Sequence, residues 1–195
     1  MADTEKLKVS RVSRLLLGIC VAFAGSAIVL PDAFGQQDVH AVLVAKAERK
    51  PAPKFQLVSD TGKLTSVSTY RGKVVVLNFW ATKCGGCVLE IPSFIELEKT
   101  YGNAGLRVVG VSEDVSYSGL KNAEAAWRQV RPFMASHKMN YAVLMGNDAV
   151  VSAYGFDEYP ATYVIDRSGR IAATYVGVVD KGDVEAKVRA LLAER

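Results

Sequence analysis

The chain has 195 residues, half of them hydrophobic and 23% charged, with a net charge of +4. This is an ordinary globular balance: one domain with a sizeable core, plus extensions. The positive excess is mild and forms no long basic run, which argues against a nucleic-acid partner.

Basic residues at the N-terminus end at Arg14, and Leu15 to Leu30 carries no charge. Pro31 stops this run, and Ala33-Phe34-Gly35 places small residues suited to cleavage before Gln36. An uncharged stretch of this size falls between a signal core of about 7–15 residues and a membrane span of about 17–25. Residues 1–35 are therefore expected to be a cleaved signal peptide or a retained membrane anchor. In both cases the upstream Lys and Arg keep the N-terminus in the cytoplasm and the body is exported. Ile19 directly before Cys20 fits a lipoprotein site poorly. If Cys20 leaves with the signal, the mature chain keeps only Cys84 and Cys87. A disulfide closing so short a loop removes little chain entropy, so chemistry explains the pair better than stapling does.

Residues 36–53 read as a tether ending in Lys50-Pro51-Ala52-Pro53, and the body is expected over 54–195. Phe55 to Val58 and Leu64 to Val67 form a hairpin about Asp60-Thr61-Gly62-Lys63. Val74 to Trp80 is a buried strand. A helix begins between the two cysteines and runs to about Tyr101, with Gly102 as its stop and Pro92 as a kink inside it. Leu106 to Val111 is a second buried strand, and Glu113 to Asn122 is read as loop. A helix follows over Ala123 to His137, then a strand over Tyr141 to Met145 and a short helix over Asp148 to Tyr154. Ala161 to Ile165 and Arg170 to Val176 form a second hairpin, and Asp180 to Ala193 a closing helix. The order predicts an α/β sandwich: a mixed central sheet with helices on both faces. The site then belongs at the carboxyl end of the central strand, where Trp80 delivers Cys84.

Cys84 falls at the first turn of a helix, where unpaired N–H groups and the positive dipole end favour a thiolate. Lys83 pushes the same way. The pair suits dithiol/disulfide exchange, with Cys84 attacking and Cys87 resolving the mixed disulfide. A structural zinc site needs further ligands, and the histidines are only His40 and His137; haem attachment needs His where Val88 stands. No cofactor or metal is expected. Glu90 falls on the helix arc shared by Cys87, Ile91, Phe94, Leu97 and Tyr101. A partly buried carboxyl passing protons to the cysteines and a solvated first-turn glutamate both fit that phase. Tyr159-Pro160 stands at a strand entrance, where an X–Pro bond is ordinarily trans. His137 reads as a helix-end cation and the aromatics as core.

Asn78-Phe79-Trp80-Ala81-Thr82, Cys84-Gly85-Gly86-Cys87, Glu90-Ile91-Pro92 and Tyr159-Pro160-Ala161-Thr162 before Val164-Ile165-Asp166 together resemble the thioredoxin superfamily. More narrowly, they resemble its TlpA/ResA-like exported thiol:disulfide oxidoreductases, which include the CcmG/DsbE proteins of cytochrome c maturation. The resemblance covers about residues 53–194. It implies a thioredoxin-like fold with a helix-strand insertion over 123–154. It also implies a cis Pro160 facing the cysteines and a buried acidic Glu90. It further implies a reductant in the periplasm or on the outer face of the inner membrane, re-reduced by a membrane thiol donor. Its partners would be disulfide-containing exported proteins such as apocytochrome c. Three departures all touch the docking surface: Lys83 where tryptophan is usual, Gly85-Gly86 between the cysteines, and bulky Tyr159 before the proline. Two other classes share parts of the pattern. A thiol peroxidase of peroxiredoxin type would use Thr82 and Cys84, although the interval is two residues rather than three. A metal-delivery module would use both thiols and His137.

Overall fold

The computed structural model describes residues 38–194. The leader, Cys20 and the cleavage point before Gln36 lie outside the described residues. The five-stranded sheet has the order β5-β4-β3-β6-β7. These strands are β3 (Val74–Trp80), β4 (Leu106–Ser112), β5 (Ala142–Met145), β6 (Ala161–Ile165) and β7 (Ile171–Val176). β3, β4 and β5 run parallel, while β6 and β7 are antiparallel additions. All seven residues of β3 are buried, as expected of a strand, apolar but for Asn78, at the centre of a two-faced sheet.

Alternation along β3 divides the core. Val74, Val76 and Trp80 face one layer with Phe94, Leu97, Trp127, Val130, Val184 and Val188. These come from helices α1 (Gly85–Tyr101), α3 (Ala123–Ser136) and α5 (Lys181–Ala193). Val75, Leu77 and Phe79 face the other layer, with Leu57, Val150 and Tyr154. That layer is closed by the β1 (Gln56–Val58)/β2 (Leu64–Ser66) hairpin and helix α4 (Asp148–Tyr154). Each fully buried aliphatic or aromatic side chain stabilises the fold by about 1.5–3 kcal/mol before chain entropy is counted.

One local expectation is met and one needs correction. α1 ends at Tyr101 with Gly102 as its C-cap, as expected; Gly102 keeps φ −56° and its N–H still bonds to Glu98. The chain tightens into a 3-10 turn over Gly102–Ala104, and Gly105, at φ 106°, makes the reversal. The segment read as loop after β4 holds a short helix, α2 (Asp114–Tyr117), started where the Glu113 N–H bonds to the Trp80 carbonyl and the Tyr117 N–H to the Glu113 carbonyl.

Residues 39–52, read from sequence as part of the tether, pass along β7 from Val179 to Gly169, with a parallel bridge at Val39 and an antiparallel one at Pro51. The Val39 N–H donates to Val178 at 2.7 Å and the Val44 N–H to Ala172 at 2.8 Å; Lys50 accepts from Ile171 at 2.8 Å. Ala52 N–H reaches Gly169 at 2.9 Å. Arg49, 3% exposed, fixes this strap through Asp166 at 3.1 Å and two bonds to Glu194 at 2.6 and 2.7 Å.

Candidate active site

The carboxyl end of β3 delivers Ala81-Thr82-Lys83 to Cys84, which is the N-cap of α1 with an extended backbone. Its sulfur accepts the Cys87 N–H at 3.2 Å. The two sulfurs are joined at 2.08 Å, with Cα atoms 5.3 Å apart, so this is the oxidised state. Both cysteines are buried while Lys83 beside them is exposed. Glycines at the two intervening positions leave open space around Gly85.

Glu90 lies one turn beyond Cys87 and is 2% exposed. One carboxyl oxygen accepts the Val179 N–H at 2.8 Å and the other the Asn78 side-chain amide at 3.1 Å. The Asn78 amide also donates to the Thr162 hydroxyl, its cross-strand partner, at 3.0 Å. Burial pushes the Glu90 carboxyl up to about 8, against these two donors, which pull it down; Asp38 adds a smaller upward push. Of the two settings left open by helix phase, Glu90 takes the buried one and not the solvated one. The lone amide of Asn78 inside an otherwise apolar buried strand was the available signal that it must bond something.

The Tyr159–Pro160 peptide is cis. Pro160 leads into β6, whose Ala161 pairs with Phe79 at the end of β3, so proline and cysteines share one end of the sheet. Gly177 N–H donates to the Pro160 carbonyl at 2.8 Å. Tyr159 packs edge-on against Tyr117 at 5.2 Å and Phe156 at 5.3 Å, so the bulky residue before the proline belongs to a fixed aromatic group.

Two buried acids at the end of β4 were not foreseen. Asp114 accepts from the Thr82 N–H at 3.1 Å, the Thr82 hydroxyl at 2.5 Å, the Ser112 hydroxyl at 2.9 Å and the Gln129 amide at 2.9 Å. The Gln129 amide also bonds to the Thr82 hydroxyl. This cluster fastens the loop before Cys84 to β4 and to α3. Glu113 beside it is fully buried with neither carboxyl oxygen hydrogen-bonded. Its carboxyl fills the space a side chain at residue 146 would occupy, which only glycine leaves free. Burial, with Asp148 and Asp114 adding negative charge, pushes Glu113 up to about 8.

His137 closes α3, stacked on Phe133 at 3.9 Å between ring centres, and His40 stands 3.6 Å from Asp183. Among the described residues no three His, Cys, Asp or Glu side chains are grouped to hold a metal, and no helix is long and apolar enough to cross a membrane.

The AhpC/TSA family model matches residues 49–174. Thioredoxin-like protein YneN of Bacillus subtilis is 33% identical over 141 residues, covering 72% of this chain and 78% of that one. The thiol-disulfide oxidoreductase ResA of the same organism is 30% identical over 159 residues, covering 80% and 83%. Among solved structures, a thiol:disulfide interchange protein of Chlorobium tepidum superposes with a TM-score of 0.64 at 29% identity, covering 76% of this chain and 100% of that chain. Sequence, sheet order and the cysteine pair at the head of α1 all lead to one assignment. The chain belongs to the AhpC/TSA family, among the TlpA/ResA-like thiol:disulfide oxidoreductases of the thioredoxin superfamily.

Proposed function

We propose that this protein reduces disulfides of exported proteins in the periplasm, or on the outer face of the inner membrane, with Cys84, Cys87, Glu90 and Pro160 as its working residues. The Cys84 thiolate attacks one sulfur of a partner disulfide; a mixed disulfide forms and the partner's other sulfur leaves as a thiolate. Cys87 then loses its proton and attacks the Cys84 sulfur, releasing the second partner thiolate. Two electrons pass to the partner, its two thiolates take up two protons, and the enzyme is left with the Cys84–Cys87 bond. A membrane thiol donor returns two electrons to the pair. The observation that carries this reading is the Cys84–Cys87 disulfide at the N-terminus of α1.

Glu90, one turn along the same helix from Cys87 and held near 8, is matched to a thiol whose ordinary value is about 8.5. In this reading it receives the Cys87 proton as Cys87 becomes the attacking thiolate. Pro160 forms the wall that a partner chain meets beside the sulfurs. Export is supported by the charged, apolar and small-residue order of residues 1–35, as a cleaved signal or a retained anchor. Apocytochrome c is the partner class that the resemblance to DsbE-type proteins favours.

Replacing Cys87 with Ser is expected to trap a mixed disulfide through Cys84 with proteins of a periplasmic extract; no trapped species would overturn the mechanism. The reduction potential of the pair separates direction. A value near roughly −270 mV marks a reductant, and one near about −120 mV an oxidant, which would end the cytochrome c assignment. Peroxide consumption matching disulfide reduction would favour a peroxidase instead. That outcome is not expected, because the Thr82 hydroxyl is bonded to Asp114 and Gln129. Tight copper(I) or zinc retention would favour metal delivery.

A further inference from the structure

The strap along β7 ends beside the redox centre. Val39 N–H donates to the Val178 carbonyl at 2.7 Å, and the Asp180 N–H donates to the Val39 carbonyl at 3.2 Å. Between these two bonds lies Val179, whose N–H donates to Glu90 at 2.8 Å. The Val39 side chain fits against Gly177, leaving 3.0 Å to where a Cβ would stand. Gly177 in turn is bonded to the Pro160 carbonyl. The turn 177–180 is therefore gripped by Val39 on its outer side and presents one N–H to the buried carboxyl on its inner side.

We infer that Val39 is a positioning residue for the redox centre: by clamping residues 178 and 180 it aims the Val179 N–H at Glu90, so the N-terminal strap is part of the active-site support. A backbone N–H is a good donor to a buried carboxylate only while its direction is fixed. Residue 179 lies beyond the end of β7, so no ladder bond within the sheet fixes it. The ionisable groups acting on Glu90 are Asp38 at the start of the strap and Tyr141 before β5, and Cys87 stands one turn earlier on its own helix. Asp38 opposes ionisation of Glu90 and Val179 assists it, so the strap acts on the carboxyl through both.

The inference rests on the proposed role of Glu90, and the test separates the two. The reduced full-length chain is alkylated with iodoacetamide across the pH range, and the rate at Cys84 is followed. Glu90→Gln is expected to remove the inflection that Glu90 imposes; an unchanged profile would overturn the role of Glu90 itself. Val39→Pro deletes the donor to Val178 and alters the packing on Gly177, both parts of the clamp. It is expected to move that inflection upward by about half a pH unit or more, because the carboxylate loses an aligned donor. Val44→Pro deletes the equivalent strap bond to Ala172, far along β7 from Glu90. It is expected to lower stability by a similar amount and leave the profile in place. If Glu90→Gln changes the profile while Val39→Pro and Val44→Pro behave alike, the strap is only structural and the inference fails. Should Val39→Pro not fold, Val39→Gly keeps the N–H but removes the packing on Gly177, and the same upward shift is expected at smaller size. Faster hydrogen exchange at Val179 in either Val39 variant, and not in Val44→Pro, is the second readout; equal protection in all three would likewise overturn the clamp.

Discussion

Glu90 and Glu113 are both buried carboxyls pushed up to about 8, and their surroundings give them different consequences. Glu90 has a donor on each oxygen; Glu113 has none. A raised carboxyl contributes its stability fully below its unfolded value, near 4.5, and loses it as pH climbs through the folded value. Glu113→Gln cannot ionise and escapes that loss. The variant is expected to match the parent near pH 4.5 and to exceed it by roughly 1–3 kcal/mol at pH 8.5, read from denaturant midpoints. A difference independent of pH would mean that Glu113 titrates alike in the folded and unfolded chain, so that burial does not raise its carboxyl. At this scale the cysteines were legible because both sit in one short stretch at a strand-helix junction. Glu90 was only half legible: helix phase placed it on the cysteine side, but its fate depends on Asn78 and Val179, which periodicity does not reveal. Glu113 was not legible at all, since a glutamate after a strand normally turns to solvent. Its burial follows from Gly146, 33 positions later, leaving a gap.

Among the elements, the strand–loop–helix unit β3–α1 depends on something outside itself. The loop 81–83 is short, and its anchor is the Asp114 carboxyl, which takes two donors from Thr82 and one each from Ser112 and Gln129. Asp114→Ala leaves the Thr82 and Ser112 donors without this acceptor in a largely buried setting. It is expected to cost about 2–3 kcal/mol and to slow disulfide exchange several-fold, because Cys84 hangs from the freed loop. Exchange kinetics under conditions where the variant is fully folded check this; an unchanged rate would make Asp114 purely a stabiliser. Gln129 comes from α3, so the inserted helix takes part in holding the redox loop. The element order was readable from runs of Val, Leu and Ile and from glycine breaks. The α2 turn was not, because its four residues are too few for a periodic signal and its start is set by a bond to Trp80 in another strand.

Over the whole molecule, Arg49 joins three distant parts of the chain: the strap that carries it, Asp166 at the end of β6 and Glu194 after α5. Its bonds hold Glu194 below the ordinary carboxylate range. Burial works to raise Asp166, but bonds from Ser168, Arg170 and Arg49 outweigh it and the carboxyl is lowered. Depressed carboxyls contribute stability above their unfolded values and lose it as pH falls through the folded ones. Arg49→Met is expected to cost about 3 kcal/mol at neutral pH and to flatten the loss of stability below about pH 4, followed by thermal melts across acid pH. Composition alone gave the strap the look of a linker, with prolines, charges and few large apolar residues. What docks it is backbone pairing to β7, and pairing partners so far apart leave no local trace.

The same strap decides what the sheet offers to its surroundings. A terminal strand presents unpaired N–H and C=O groups on which another extended chain can build. Here β5 is met on its outer side by Ser59 and by the Asp60 N–H, which bonds to Val143 at 2.9 Å. β7 is met at its start, where Val44 bonds to Ala172 and Lys50 to Ile171, and residues 39–52 also hold the chain just past its end, at Val178 and Asp180. A thiol:disulfide oxidoreductase meets other polypeptide chains, and a free edge would capture them where no chemistry follows. Cleaving the chain within the strap would free the edge of β7 as a template for aggregation.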